Sequence, residues 1–165
     1  MLAFIRHLKQ GEKDVLYYIY LSAGMLDSRE FHQFMDSISI QKNTIDRILS
    51  NLSGFCLVSA GEYIVPSYPQ LKPQLETILA ARRVFLKNIF LEYILNIYAS
   101  GKFRRYVLLY SFFLTNGTVL MALDLLSSLI KRKIDEGYID DAKLFLTDKN
   151  PFTVINAEKE EKELF

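Results

Sequence analysis

Side chains able to act as nucleophiles, metal ligands or general bases are few and scattered. A single cysteine, Cys56, and two histidines, His7 and His32, occur among 165 residues. One thiol excludes a disulfide framework and any multi-cysteine zinc or iron–sulfur site. Cys56 sits between Phe55 and Leu57 in a run of strand formers, a setting for a buried structural thiol and not for an activated thiolate. His32 falls near Glu30 and Asp36 on an expected helix and reads as a surface histidine. Asp140 and Asp141 are adjacent, so on a helix they point in different directions and form no acid–base pair. The seven glycines never fall as GxGxxG or GxxxxGK, the spacings of phosphate-cradling loops. No catalytic, cofactor-binding or metal site is expected, and the chain reads as a non-enzyme without a small-molecule substrate.

Recognition chemistry is better represented. Lys42, Asn43, Arg47, Ser50 and Asn51 fall opposite a helical stripe of Ile45, Ile48, Leu49 and Leu52. Asn and Arg side chains can read adenine and guanine edges in a major groove. These five residues are therefore candidates for contact with DNA or with a partner. A second set is basic. Arg82, Arg83, Lys87, Lys102, Arg104, Arg105, Lys131, Arg132 and Lys133 are all the bases of residues 77–133, against two acids. That stretch stands at +7 in a chain whose total is +1, while residues 134–165 stand at −5. The nine bases are candidates for an acidic-partner surface. Solvated helix faces complemented by the acidic tail are the alternative.

The scaffold that positions these residues is largely apolar. Half of the chain is hydrophobic, with 12 Phe and 10 Tyr, which excludes disorder as the main state. Glu12-Lys13-Asp14 is an acidic first turn, followed at helical spacing by Val15, Leu16, Ile19, Tyr20 and Ala23, with Gly24 as the stop. Asp27 and Glu30 form a capping-box pattern, with Leu26 and Phe31 in the hydrophobic-staple positions. Phe31, Phe34 and Met35 give this second helix its apolar side. A third helix is expected from near Ser39 to a cap at Gly54. Phe55–Val58 and Tyr63–Pro66 then read as strands turning at Ala60-Gly61.

Three helices followed by a two-stranded hairpin resemble a winged-helix domain. The run from Ile45 to Val58 resembles that family's recognition helix passing into its first wing strand, and the resemblance covers about residues 11–68. DNA affinity needs a basic footprint. Here residues 1–76 stand at −1, and the wing turn Ser59-Ala60-Gly61-Glu62 carries an acid. A wing of this kind implies protein contact ahead of DNA contact.

The second half reads as paired helices. Residues 69–73 are an expected linker, followed by one long helix over 74–99 that Gly101 ends. Helical stretches follow at 102–115, 118–133 and 139–147. The first is apolar nearly all round (Phe103, Tyr106, Val107, Leu109, Tyr110, Phe113, Leu114) and should be central. The next sets an apolar stripe of Val119, Leu123, Leu126 and Ile130 against Asp124, Ser127, Ser128 and Lys131. Gly101 and Gly137 are 36 residues apart, close to the tetratricopeptide period of about 34. Gly137-Tyr138-Ile139-Asp140-Asp141-Ala142 resembles that family's interhelix turn. The expected division is 1–68 winged helix, 69–73 linker, 74–150 helical bundle or short tetratricopeptide-like array, and 151–165 acidic tail.

The 18 residues Tyr106–Leu123 carry no charge and follow a basic flank, but Thr115-Asn116-Gly117-Thr118 is a turn signal in their middle. Two helices meeting there explain the run better than a membrane span does. The segment MLAFIRHLKQ has too short an apolar core for a signal peptide, so the cytoplasm is the expected compartment. A winged helix followed by helical repeats resembles the regulatory part of STAND-type signalling ATPases and of bacterial transcription regulators. The resemblance implies a non-enzymatic regulatory or adaptor module that binds a protein through its helical half. A sequence-specific DNA-binding regulator is the alternative. Short repeat stacks need a neighbour, which leaves a homo-oligomer open.

Overall fold

One helix, apolar on nearly every side, organises the first half of the chain. The computed structural model describes residues 2–99, 106–115, 119–140 and 143. They are mainly helical with a two-stranded antiparallel hairpin, as the sequence predicts. The chain divides into two units, residues 1–100 and 101–165.

The first unit runs α1 (Leu2–His7), α2 (Gln10–Ser22), α3 (Ser28–Ser37), α4 (Lys42–Gly54), β1 (Val58–Ala60), β2 (Ile64–Pro66), a 3-10 turn (Pro69–Leu71), α5 (Lys72–Leu79) and α6 (Arg82–Ala99). The short α1 has no counterpart among the sequence expectations. Residues 14–22 of α2 are all buried, because the helix packs against α4, α5, α6 and β2. A helix covered this way has no face to leave polar. The core beside it centres on Phe34, whose ring lies 4.9 Å from Tyr18, 5.2 Å from Phe90 and 4.8 Å from Tyr93.

Local signals set the helix ends. Asp27 accepts a hydrogen bond from the Glu30 amide at 2.7 Å, and the Asp27 amide donates to Glu30 Oε2 at 2.8 Å. The expected capping box is therefore formed, with Leu26 and Phe31 both buried beside it. The third helix begins at Lys42 and not near Ser39. Ser39 has φ 64° and closes α3: its amide donates to Asp36 O, and that of Ile40 to Met35 O. That bonding pattern is a Schellman motif, which takes a left-handed residue after the helix. The motif also ends α4. Cys56 (φ 55°) donates to Ser53 O and Leu57 to Leu52 O. The left-handed role expected near Gly54 thus falls to Cys56, which is exposed and precedes the strand. The expectation of a buried strand thiol is corrected.

The hairpin pairs Val58 with Pro66, Ser59 with Val65 and Ala60 with Ile64. Its loop is tied back to the start of α3. The Ser28 amide donates to Glu62 O at 2.8 Å, the Ser28 hydroxyl donates to Gly61 O, and Asp27 bridges to Tyr63.

Residues 69–73 are helical and hold the buried Leu71, where a linker is expected. The first unit extends to residue 100 because α5 and α6 cover α2. The single helix expected over 74–99 is broken at Ala80, with φ 48° and ψ −127°.

The second unit contains α7 (Tyr106–Thr115) and α8 (Val119–Asp135), packed on each other. The uncharged run divides between them; its turn residues 116–118 lie outside the described residues. Leu109, Phe112, Phe113, Ala122 and Leu125 are buried. α8 ends in a third Schellman motif, with Gly137 at φ 85° and Tyr138 donating to Lys133 O at 2.8 Å. Ile139 and Asp140 then resume helical geometry. Among the described residues no helix is long and apolar enough to cross a membrane.

Candidate functional site

The polar face of α4 forms as expected. Ile45, Ile48, Leu49 and Leu52 are buried, and Lys42, Asn43, Arg47, Ser50 and Asn51 are all exposed. One period-3.6 stripe fixes both sets, since burying one side of a helix presents the other. Two of its polar groups are engaged within the protein. Asn51 Nδ2 donates to Glu12 Oε1 at 3.1 Å. Asp46 accepts from His32 Nε2 at 2.9 Å. Lys42 and Arg47 therefore share this surface with Asp46 and Glu12, and no excess of positive charge results.

His32 and Asp46 have the outward form of an acid–base dyad, but the ring's other nitrogen is also engaged. His32 Nδ1 lies 2.6 Å from the Ser28 carbonyl oxygen. Each ring nitrogen is thus turned to an oxygen of the protein itself. Nor do the central tyrosines offer a base. Burial, with Glu76 adding to it, pushes the Tyr17 hydroxyl up to about 12. Burial likewise pushes Tyr18, with Asp14 adding, and Tyr20 up to about 12. Tyr17 donates to Glu76 at 3.3 Å and Tyr20 to Tyr68 O at 2.6 Å, which makes them core residues with one polar tether each.

The six candidate bases among the described residues stand in different surroundings. Arg82 is committed to Asp14: Nε lies 3.0 Å from both carboxylate oxygens and Nη2 lies 2.6 Å from Oδ2. Gln10 Nε2 adds a bond to Asp14 Oδ1 at 2.8 Å. The hydrogen bonds and charge of Asp14 hold the Arg82 guanidinium above its ordinary value. Arg83 is exposed and Lys87 half-buried on α6. Lys102, Arg104 and Arg105 lie outside the described residues. On α8, Lys131 is exposed, Arg132 pairs with Glu136 at 3.6 Å, and Lys133 is buried with Nζ 5.0 Å from the Tyr138 ring centre. Arg82 stays exposed but is paired with Asp14, and Lys133 is corrected from a surface candidate to a buried residue. Their mates, 68 residues away and around a turn, are invisible to a count of charge along the chain.

α8 also carries exposed apolar side chains. Leu123, expected in the apolar core stripe, is 54% exposed; Leu120 is 82% and Ile134 51% exposed. Among the described residues of α8, the buried apolar ones are Ala122 and Leu125. Leu120, Leu123, Ser127, Lys131 and Ile134 are spaced by three or four residues and so run along one side of the helix.

Compared with protein-family models, with curated proteins and with solved structures, the chain has no match.

Proposed function

We propose that the chain is a non-enzymatic, cytoplasmic regulatory or adaptor module that binds a protein through its second unit. In this reading α7, α8 and the Gly137 turn are a tetratricopeptide-like pair, and the first unit is a winged-helix scaffold. The exposed row of Leu120, Leu123 and Ile134 carries the proposal. A repeat pair packs its helices on each other and still needs a neighbour on an outer face. Exposed apolar side chains in a row are what such a neighbour would cover. A second copy of the chain is one form the partner takes.

Sequence-specific DNA binding is the second reading, favoured by the exposure of Asn43, Arg47 and Ser50 on α4. Glu12, Asp46 and the exposed Glu62 weigh against it, because phosphate contact needs net positive charge. A photo-crosslinking residue placed in cells at position 123 or at position 47 tests both readings. Crosslinks to a defined protein from 123 that disappear with Leu120→Glu are expected. Crosslinks to DNA from 47, with none to protein from 123, would replace the first reading by the second.

A further inference from the structure

We propose that α6 joins a second copy of this chain in a short parallel coiled coil, with Val84, Asn88, Leu91 and Leu95 as its seam. One side of α6 is already spent on the first unit. There Leu86, Phe90 and Ile94 recur every four residues and are buried. The seam is centred roughly a third of a turn away on the same helix. Its members are spaced four, three and four residues apart, the alternation of heptad a and d positions. Val84 is 55% exposed and Asn88 is exposed, while Leu91 and Leu95 are half-buried. Phe85, itself 59% exposed, widens the apolar strip at its first turn.

Two features name the occupant. With Val84 at d, Asn88 falls at a, where a single polar residue fixes register and oligomeric state at some cost in stability. An amide is self-complementary, since its oxygen accepts while its NH2 group donates. Asn88 therefore suits the partner's Asn88 across a two-fold axis.

The second feature is charge. The same register puts Lys87 at g and Glu92 at e. In a parallel pair a g residue faces the residue five positions further along the other helix. Lys87 then meets the partner's Glu92, and symmetry repeats the contact on the other side. An antiparallel pair sets g against g and e against e, which opposes like charges. The charges thus select the parallel arrangement. Among the described residues neither Lys87 nor Glu92 makes an ion pair within the chain, which leaves both side chains for the partner.

Packing on α2 already holds α6 as a helix, so association does not have to order it. Two heptads make a small interface beside the roughly 800 Å² per partner of standard ones, and the dissociation constant is expected on the order of 10 μM. The dimer draws on the first unit alone, independently of a partner for α8.

Sedimentation equilibrium of the full chain from about 1 to about 200 μM tests the seam. A monomer–dimer equilibrium is expected. Glu92→Lys, at an exposed position, and Lys87→Glu should each weaken it at least about tenfold by opposing like charges. The double variant Lys87→Glu with Glu92→Lys should restore it to within about threefold, while Leu120→Glu on α8 leaves it unchanged. A wild type that stays monomeric throughout overturns the coiled coil. So does a dimer indifferent to Glu92→Lys, or one that the double variant fails to restore. Loss of the dimer with Leu120→Glu would move the contact to α8 and overturn the seam as well.

Discussion

Arg82 grips Asp14 through both carboxylate oxygens, and this one ion pair ties the start of α6 to the first turns of α2. The side chain of Asp14 is only 11% exposed and that of Arg82 47%. The partners are therefore not equivalent. Removing the arginine leaves a nearly buried carboxylate without its charge partner, while the arginine alone would return to water.

Arg82→Ala is accordingly expected to destabilise the protein by about 1–2 kcal/mol, a value reduced from the fully buried range because the guanidinium is half in solvent. Arg83→Ala, at the next position and exposed, should cost less than about 0.5 kcal/mol. Urea unfolding of the two variants checks the contrast. Equal losses would show that the pair contributes nothing.

The three tyrosines around α2 predict an alkaline limit. Their folded values near 12 lie above the ordinary value of 10. A raised folded value contributes stability that is fully present below about pH 10 and is lost as pH rises towards 12. Melting temperature should fall steeply across that window. The phenolate absorbance of Tyr17, Tyr18 and Tyr20 should appear together with unfolding; if all ten tyrosines titrate near pH 10 in the folded protein, the prediction fails.

Cys56 and Ala80 hold φ values of 55° and 48°, in the left-handed region that favours glycine. Cys56→Gly and Ala80→Gly should each raise stability by about 0.5–1 kcal/mol, strain relief outweighing the added freedom of the unfolded chain. Chemical denaturation measures it. Substituting Val at either position should lower stability instead.

Burial on α4 separates structure from recognition. Leu49→Ala should cost about 2–5 kcal/mol and Arg47→Ala less than about 0.5 kcal/mol. Mobility shifts with random duplex at low and high salt should show weak binding by the wild type and no change with Arg47→Ala. Nanomolar, sequence-selective binding that falls by about 1–3 kcal/mol on that substitution would favour the DNA reading.

What could be read along the chain was whatever depends on near neighbours. The Asp27–Glu30 box, the Leu26–Phe31 staple and the α4 stripe are patterns within one or two turns, and each forms as expected. Ala80 breaks a helix with neither glycine nor proline to announce it; the break lies between α5 and α6, both of which pack on α2. Cys56 was misplaced because a helix can close on a left-handed residue that is not glycine. Arg82 reads as surface charge because its partner Asp14 is set by tertiary packing, and Lys133 because a count of charge does not show the turn that brings Tyr138 round to it. On α8 Leu123 falls on an apolar stripe and is nevertheless exposed, because a stripe alone does not say which of its members a neighbouring helix covers.

The covering of α2 by α5 and α6 has a consequence for how the chain is made. During synthesis α2 leaves the ribosome some sixty residues before Arg82 does. Until then the side of Tyr17, Tyr18 and Asp14 that α5 and α6 will cover stays open, even after the capping box, α4 and the hairpin are complete. The nascent domain therefore passes through a stage with its locally encoded parts assembled and its central helix half bare, a form prone to sticking to other chains. Completion is set by the arrival of α6. A chaperone that protects the growing protein would need to let go only at that point.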